Sequence, residues 1–281
     1  MSLVKTFPAG LFSKAMNERD LIRRLQKHSK FIGDDCAILP NGKEDLLVTT
    51  DQFIEKVHFL RETHSAPDIG WNALARGLSD IAAMGGTPRY AFVSLALPEW
   101  AGQKFLNGFY KGFLQLAKKH NTELGGGDLS HADQFFCDVM VLGAAPRGKA
   151  FRRDGAKPGD YIYVSGPLGK TKKRFEPRIE TGLSLRGKVS ACMDISDGIS
   201  LDLARLCEAS GVGADLTQIP VAKGATVEEA LHRGEDYELL FTSSRKLDYF
   251  CVGQIVQPRR VHLNGRPLEA KGYDHFARKN T

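Results

Sequence analysis

The stretch WNALARGLSDIAAMGGTPRYAFVSLALP, residues 71–98, changes its hydrophobic period part-way along. From Trp71 the apolar residues Leu74, Ala75, Leu78, Ile81 and Ala82 recur at helical spacing and stop at Gly85-Gly86, where glycine can end a helix. Tyr90 to Leu97 then reads as a strand, rich in strand formers. At 100° per residue, Asp80 falls on the side of the helix opposite Trp71 and its stripe. A helix followed directly by a strand sets the expectation of a mixed α/β architecture.

Outward from this unit the pattern repeats. Strands are expected at Leu46–Thr50 and Phe135–Leu142, with an amphipathic helix between Leu106 and Ala117. Near the N-terminus, Asn17 can cap a helix carrying Leu21, Ile22 and Leu25, and Gly33 opens a turn. The segment PRGKAFRRDGAKPGD (146–160), with its glycines, prolines and cations, reads as an interdomain connection, giving domains 1–146 and 147–281. In the second half, strands are expected near Tyr161–Ser165, Tyr237–Thr242 and Phe250–Val256. A helix over Ile199–Ser210 is stopped by Gly211.

With 42% hydrophobic and 26% charged residues in 281, the composition excludes a disordered, collagenous or coiled-coil chain. The longest uncharged apolar stretch, Tyr90 to Pro98, is far short of the ~20 residues a bilayer-spanning helix needs, so no membrane association is expected. The +6 charge is scattered in short runs such as Arg152-Arg153 rather than one basic stripe, which argues against nucleic acid and suits small anionic ligands. Five widely spaced cysteines without a C-x-x-C pair, and no signal-peptide pattern, point to reduced thiols in the cytoplasm.

Familiar nucleotide motifs fail on inspection. Gly166-Pro167-Leu168-Gly169-Lys170-Thr171 ends like a Walker A loop, but Val164 stands where its first glycine belongs. What stands out instead is acids among small residues in six segments: around Asp34-Asp35, Thr49-Thr50-Asp51, Ser79-Asp80, Gly126-Gly127-Asp128, Asp194-Ile195-Ser196-Asp197-Gly198 and Gly234-Glu235-Asp236. Any one alone is ordinary turn or cap chemistry. Together they suit Mg²⁺, which prefers carboxylate oxygens and is shared with substrate phosphates, and most are expected where a strand or helix ends.

At these segments the chain resembles the thiamine-monophosphate kinase family, within the aminoimidazole-ribotide-synthetase-like (PurM-like) ATP-binding proteins. The matching stretches run in order: GDDCAIL (33–39), VTTDQFIEKVHF (48–59), ALARGLSDIAAMGGTPRYAFVSLALP (73–98), GGDLS (126–130), GAKPGDYIYVSGPLG (155–169), MDISDGISLDLARLCEASGVGADL (193–216), GEDYELLFT (234–242) and GYDHF (272–276). The resemblance implies a two-domain α+β fold, its first domain dimerising through a shared sheet. It implies phosphorylation of thiamine monophosphate by ATP to thiamine diphosphate, by direct transfer with several Mg²⁺ ions. It places Asp35, Thr49, Thr50, Asp51, Asp80, Asp128, Asp194 and Asp197 at the metals, supported by Asp34. Gly127, Asp128, Arg153 and Ser196 would meet ATP, and His58, Glu235 and Tyr273 thiamine monophosphate.

The sequence departs from the family pattern where Gly169 and Arg174 lie only five positions apart, replacing a longer segment with a helix, and where Ser165-Gly166-Pro167 replaces T-G-T. Another PurM-like enzyme is the competing reading, but the absence of cysteine from residues 1–35 counts against selenophosphate synthesis. A non-catalytic nucleotide-binding relative would have lost some of the acids, and all are present.

Overall fold

The computed structural model describes residues 18–273. Chain order gives α1 (Glu18–Gln26), β1 (Ala37–Asn41), β2 (Glu44–Ile54), α2 (Ala66–Ala83), β3 (Thr87–Leu97), α3 (Gln103–Lys119), β4 (Glu123–His131) and β5 (Phe136–Pro146). There follow β6 (Tyr161–Val164), α4 (Ile179–Ser184), β7 (Ala191–Asp194), α5 (Ile199–Ser210), β8 (Gly213–Leu216), α6 (Val227–His232), β9 (Leu239–Ser243), β10 (Phe250–Val256), β11 (Val261–Leu263) and β12 (Arg266–Pro267). The fold is α+β with two sheets: β1-β2-β5-β3-β4, and β12-β11-β8-β10-β6-β9-β7.

Helix α2 decides how the sheets relate. Its start is fixed by Ser65, whose hydroxyl accepts from the Asp68 amide while Asp68 accepts from the Ser65 amide, with Pro67 preorganising the first turn. Such caps lie outside an apolar stripe, which is why periodicity alone starts the helix at Trp71. Beyond the first turn every residue of α2 is buried except Arg76 and Asp80, as expected of a helix covered on nearly all sides. One side lies on β2 and β5: a Cβ on Gly77 would come within 2.6 Å of Val141. The other meets the second half of the chain, where the Trp71 indole donates to the Phe175 carbonyl (2.7 Å) and a Cβ on Gly182 would sit 2.2 Å from the Ala82 carbonyl oxygen. One apolar core therefore runs from Val139 and Phe113 through Leu74 and Leu78 to Tyr163 and Phe241. A second, around Leu203, Leu206 and Val252, fills the far side of the second sheet.

Several elements differ from expectation. Strand β2 spans Glu44–Ile54 and pairs with an unforeseen β1 across the two-residue turn Gly42-Lys43, with Gly42 at φ +60°. The glycine run at 125–127 does not end an element but lies inside β4, an exposed edge strand parallel to β3. There the missing Cβ of Gly127 matters, since one would sit 1.8 Å from the Val93 carbonyl oxygen. Strand β9 begins at Leu239, not Tyr237, because Glu235 and Tyr237 take positive φ of 67° and 50°. Asn17 lies outside the described residues.

Helices α2 and α3 approach through glycines: a Cβ on Gly112 would lie 1.9 Å from the Pro67 carbonyl oxygen, and one on Gly70 1.9 Å from that of Phe109. Gly112→Ala should therefore lower the unfolding free energy by about 1–3 kcal/mol, read as a lower denaturation midpoint at unchanged slope. An unchanged midpoint would refute so close a helix contact.

Candidate active site

Three carboxylates from three elements converge. Asp35 comes from the bend before β1, Asp80 from the last turn of α2 and Asp194 from the C-terminal end of β7, and one oxygen of each lies within 4.8 Å of the others. The neighbours explain how the side chains are held. Arg153 donates Nη2 to Asp35 (2.6 Å), Ser79 donates to Asp194 (2.6 Å), and the Thr49 hydroxyl donates to Asp80. Asp34 stands behind them, accepting the Arg153 backbone N–H (2.8 Å) and facing Arg152 (3.2 Å). Asp51 lies beside Asp80, on the inward face of β2 that alternation also gives Thr49.

Burial, reinforced by neighbouring carboxylates, pushes Asp80 and Asp194 well above the usual carboxylate range. Burial also raises Asp51, although the Arg76 guanidinium opposes the shift. Among the described residues, Asp35 Oδ2 and Asp51 Oδ2 are buried without a hydrogen-bond partner. Crowded acids from separate elements with unfilled lone pairs are the donor set of a hard divalent cation, and the residues present fit Mg²⁺.

A cavity of about 440 Å³ opens from this cluster, lined by Asp51, Asp80, Asp194, Ser196 and Asp197 on one side and by His58, Glu235 and Tyr273 on the other. Arg205 bridges Asp197 and Asp202, and burial raises Asp202 to about 7. His58 Nδ1 accepts the Ile54 backbone N–H (2.9 Å), and its ring stacks on Phe53. Glu235 is delivered by a backbone that bonds the β7–α5 turn twice, Glu235 N–H to the Ser196 carbonyl (2.7 Å) and Tyr237 N–H to that of Ile195 (2.9 Å). The Tyr273 N–H reaches the Asp197 carbonyl (3.1 Å).

Three expected residues stand apart within the single chain. The Thr50 side chain points to the outer face of the first sheet, where its hydroxyl donates to Asp138. Asp128 shares that face, in the row Asp138–Ser94–Asp128. With Gly127 it sits on the edge strand, three strands and about 14 Å from β2. Sequence reasoning missed Arg76, Ser79 and Tyr237. For Arg76 a signal existed: it lies four residues before Asp80, on the same helical line.

The profile of the AIR synthase related protein, N-terminal domain, matches residues 33–145. The chain is 32% identical to the thiamine-monophosphate kinase of Aquifex aeolicus (strain VF5), over 94% of this chain and 99% of that one. It is 34% identical to that of Salmonella typhimurium, over 88% and 91% respectively. Among solved structures it resembles AaThiL complexed with AMPPCP and TMP, with TM-score 0.88, 32% identity, and 94% and 98% of the two chains covered. The HypE-HypF complex structure, at 18% identity, TM-score 0.73, and 92% and 99% coverage, shares the fold.

A carboxyl whose folded-state pKa exceeds its unfolded value holds a proton the unfolded chain has lost, so its stabilising effect is present at low pH and is lost as pH rises through the folded value. In metal-free buffer, Asp80→Asn should match the parent near pH 4 and be the more stable of the two at pH 8, where the parent must hold the buried carboxyl against its preference for the proton. Thermal unfolding across this range checks it; a variant less stable at pH 8 would show that the acids do not repel.

Proposed function

Because the chain belongs to the thiamine-monophosphate kinase family and is an ATP-dependent kinase of thiamine monophosphate, we propose that its acidic cavity carries out direct, in-line transfer of the ATP γ-phosphate to the acceptor's phosphate with the help of several Mg²⁺ ions. The observation that carries this proposal is the convergence of Asp35, Asp80 and Asp194 beside the buried, unpaired oxygens of Asp35 and Asp51. These four, with Thr49 and Asp197, would hold the metals; Thr50 and Asp128 are retained in that set on family resemblance. Bound Mg²⁺ would neutralise the charge between donor and acceptor phosphates and hold them in line.

The chain's own groups divide the remaining work. Arg153 donates Nη2 to Asp35 at the cluster's rim and, with Ser196 and Gly127, is assigned to ATP; Arg suits phosphate recognition. Glu235 would face the cationic thiazolium or aminopyrimidine, His58 would bound that end, and Tyr273 would stack on a ring. No general base is needed, since the attacking phosphate oxygen is already anionic at neutral pH. Beside the acid cluster, the hydroxyls of Thr49 and Ser79 are engaged as donors to acids, and burial holds the Cys36 thiol protonated. That favours direct transfer over a phosphoenzyme.

The same proposal divides the chain at residues 146/147, where β5 ends and an irregular connection leads to β6. It makes the protein a homodimer through the outer face and free edge of the first sheet, where Tyr90, Leu124 and Leu129 are exposed. It places the protein in the cytoplasm, consistent with five unpaired cysteines.

With ATP, Mg²⁺ and thiamine monophosphate, the purified protein should yield thiamine diphosphate and ADP; no product would overturn the proposal. Asp51→Asn should fold normally and lose at least ~10² in turnover, equivalent to about 2.7 kcal/mol of transition-state stabilisation, whereas near-normal turnover at saturating Mg²⁺ would remove Asp51 from the metal set. Initial-rate plots against both substrates should intersect. Parallel lines with a trappable phosphoenzyme would refute direct transfer.

A further inference from the structure

We propose that Arg76 binds the phosphate of thiamine monophosphate and is the residue by which the site prefers the phosphorylated acceptor to free thiamine. The inference rests on the function proposed above but assigns a contact which that function did not use. Arg76 lies one helical turn before Asp80 on the only line of α2 that keeps exposure beyond its first turn. Its guanidinium therefore stands between the carboxylate cluster, where phosphoryl transfer would occur, and Glu235, where the thiamine rings would lie. An acceptor spanning these two points must carry its phosphate past Arg76.

The side chain is built to stay in place. It is 11% exposed, sits 4.9 Å from the Phe53 ring centroid and 5.3 Å from that of Tyr237, and donates Nη2 to Glu235 Oε1 at 2.5 Å. An arginine offers five N–H donors in a planar fork. Here Nε is buried with no acceptor among the described residues, a costly condition that an arriving phosphate oxygen would relieve. The other arginine lining the cavity, Arg233, is about half exposed and bonded to Glu229 (3.2 Å). Arg76 is thus the buried cation on the acceptor side, set beside Asp51 and Glu235, which would otherwise repel a phosphate. The acceptor's phosphate is favoured over that of ATP because Arg76 is tied to Glu235, whereas Arg153 is tied to Asp35.

The test compares the affinities of thiamine monophosphate and thiamine, each with Mg²⁺ and a non-hydrolysable ATP analogue bound, in the parent and in Arg76→Met, which keeps an apolar stem between the rings. The expected result is a loss of about 10- to 100-fold in affinity for thiamine monophosphate, with thiamine affinity changed less than threefold and ATP-analogue affinity unchanged. Equal losses for thiamine and its monophosphate would show that Arg76 merely positions Glu235, and a loss confined to the ATP analogue would move its phosphate contact to the donor; either overturns the inference. Should Arg76→Met fail to fold, Arg76→Lys, which keeps charge but not the fork, carries the same comparison: part of the preference for the monophosphate must be lost while thiamine binding holds. A parent protein that neither binds nor phosphorylates thiamine monophosphate would instead overturn the function on which the inference rests.

Discussion

The structure is organised around a repulsion. At separations within 4.8 Å, the members of each ionised pair among Asp35, Asp80 and Asp194 would repel by roughly 3 kcal/mol or more even at an effective dielectric near 20. Without a bound cation, a flexible loop would relax by turning such acids outward. The chain instead draws each from a separate element whose position is fixed by packing: a helix buried on nearly all sides, the end of a strand in the second sheet, and a bend anchored by Arg153. The local compensations are small and specific. One guanidinium, two hydroxyls and one backbone amide support the cluster and its flank without neutralising it. A cluster neutralised by protein alone would have little affinity left for cations, and one with no support would protonate and lose its ligand oxygens.

The opposite wall of the cavity is built by close backbone approach. The segment Gly234–Tyr237 crosses the β7–α5 turn so tightly that a Cβ on Gly234 would fall 2.5 Å from the Ser196 carbonyl oxygen, and one on Gly272 2.4 Å from that of Asp197. Glu235 and Tyr237 are held in the left-handed region beside these contacts, at a cost of order 1–3 kcal/mol each. That strain is offset by the two hydrogen bonds to Ile195 and Ser196 and by the stacking of Tyr237 on Phe175 at 3.9 Å. The result couples the two walls: the turn that supplies Asp194 and Asp197 also fixes Glu235 and Tyr273.

How much of this was legible in the sequence follows from where the information resides. Asp80 could be placed off the apolar stripe because helical geometry is local, and the same count would have found Arg76 had a cation been sought beside an acid. The β4 strand was hidden because ELGGGDLSH (123–131) has turn-like composition, and its strand state depends on a long-range pairing with β3. Tyr237 read as a strand because its neighbours are strand formers, while its real conformation is imposed by the distant 195–197 turn. The sheet faces of Thr50 and Asp128 are likewise a matter of register, which no motif spacing encodes.

The segment after Gly169, where the resemblance sets the expectation of a longer one, is held by a small number of buried contacts. The chain runs directly back over α2, where Lys173 and Phe175 carbonyls accept from the side chains of Asn72 and Trp71, both at 2.7 Å. Its start is tied down by Asp236, which accepts the Gly169 N–H (2.8 Å) and is raised to about 6 by burial. Its far end is tied by Arg178, forked onto the fully buried Glu238, which Lys172 and Ser165 also reach. A buried carboxylate left without its cations is strongly destabilising. Asp236 and Glu238 thus do for the short segment what packing would do for a longer one, keeping Thr171 at the cavity wall.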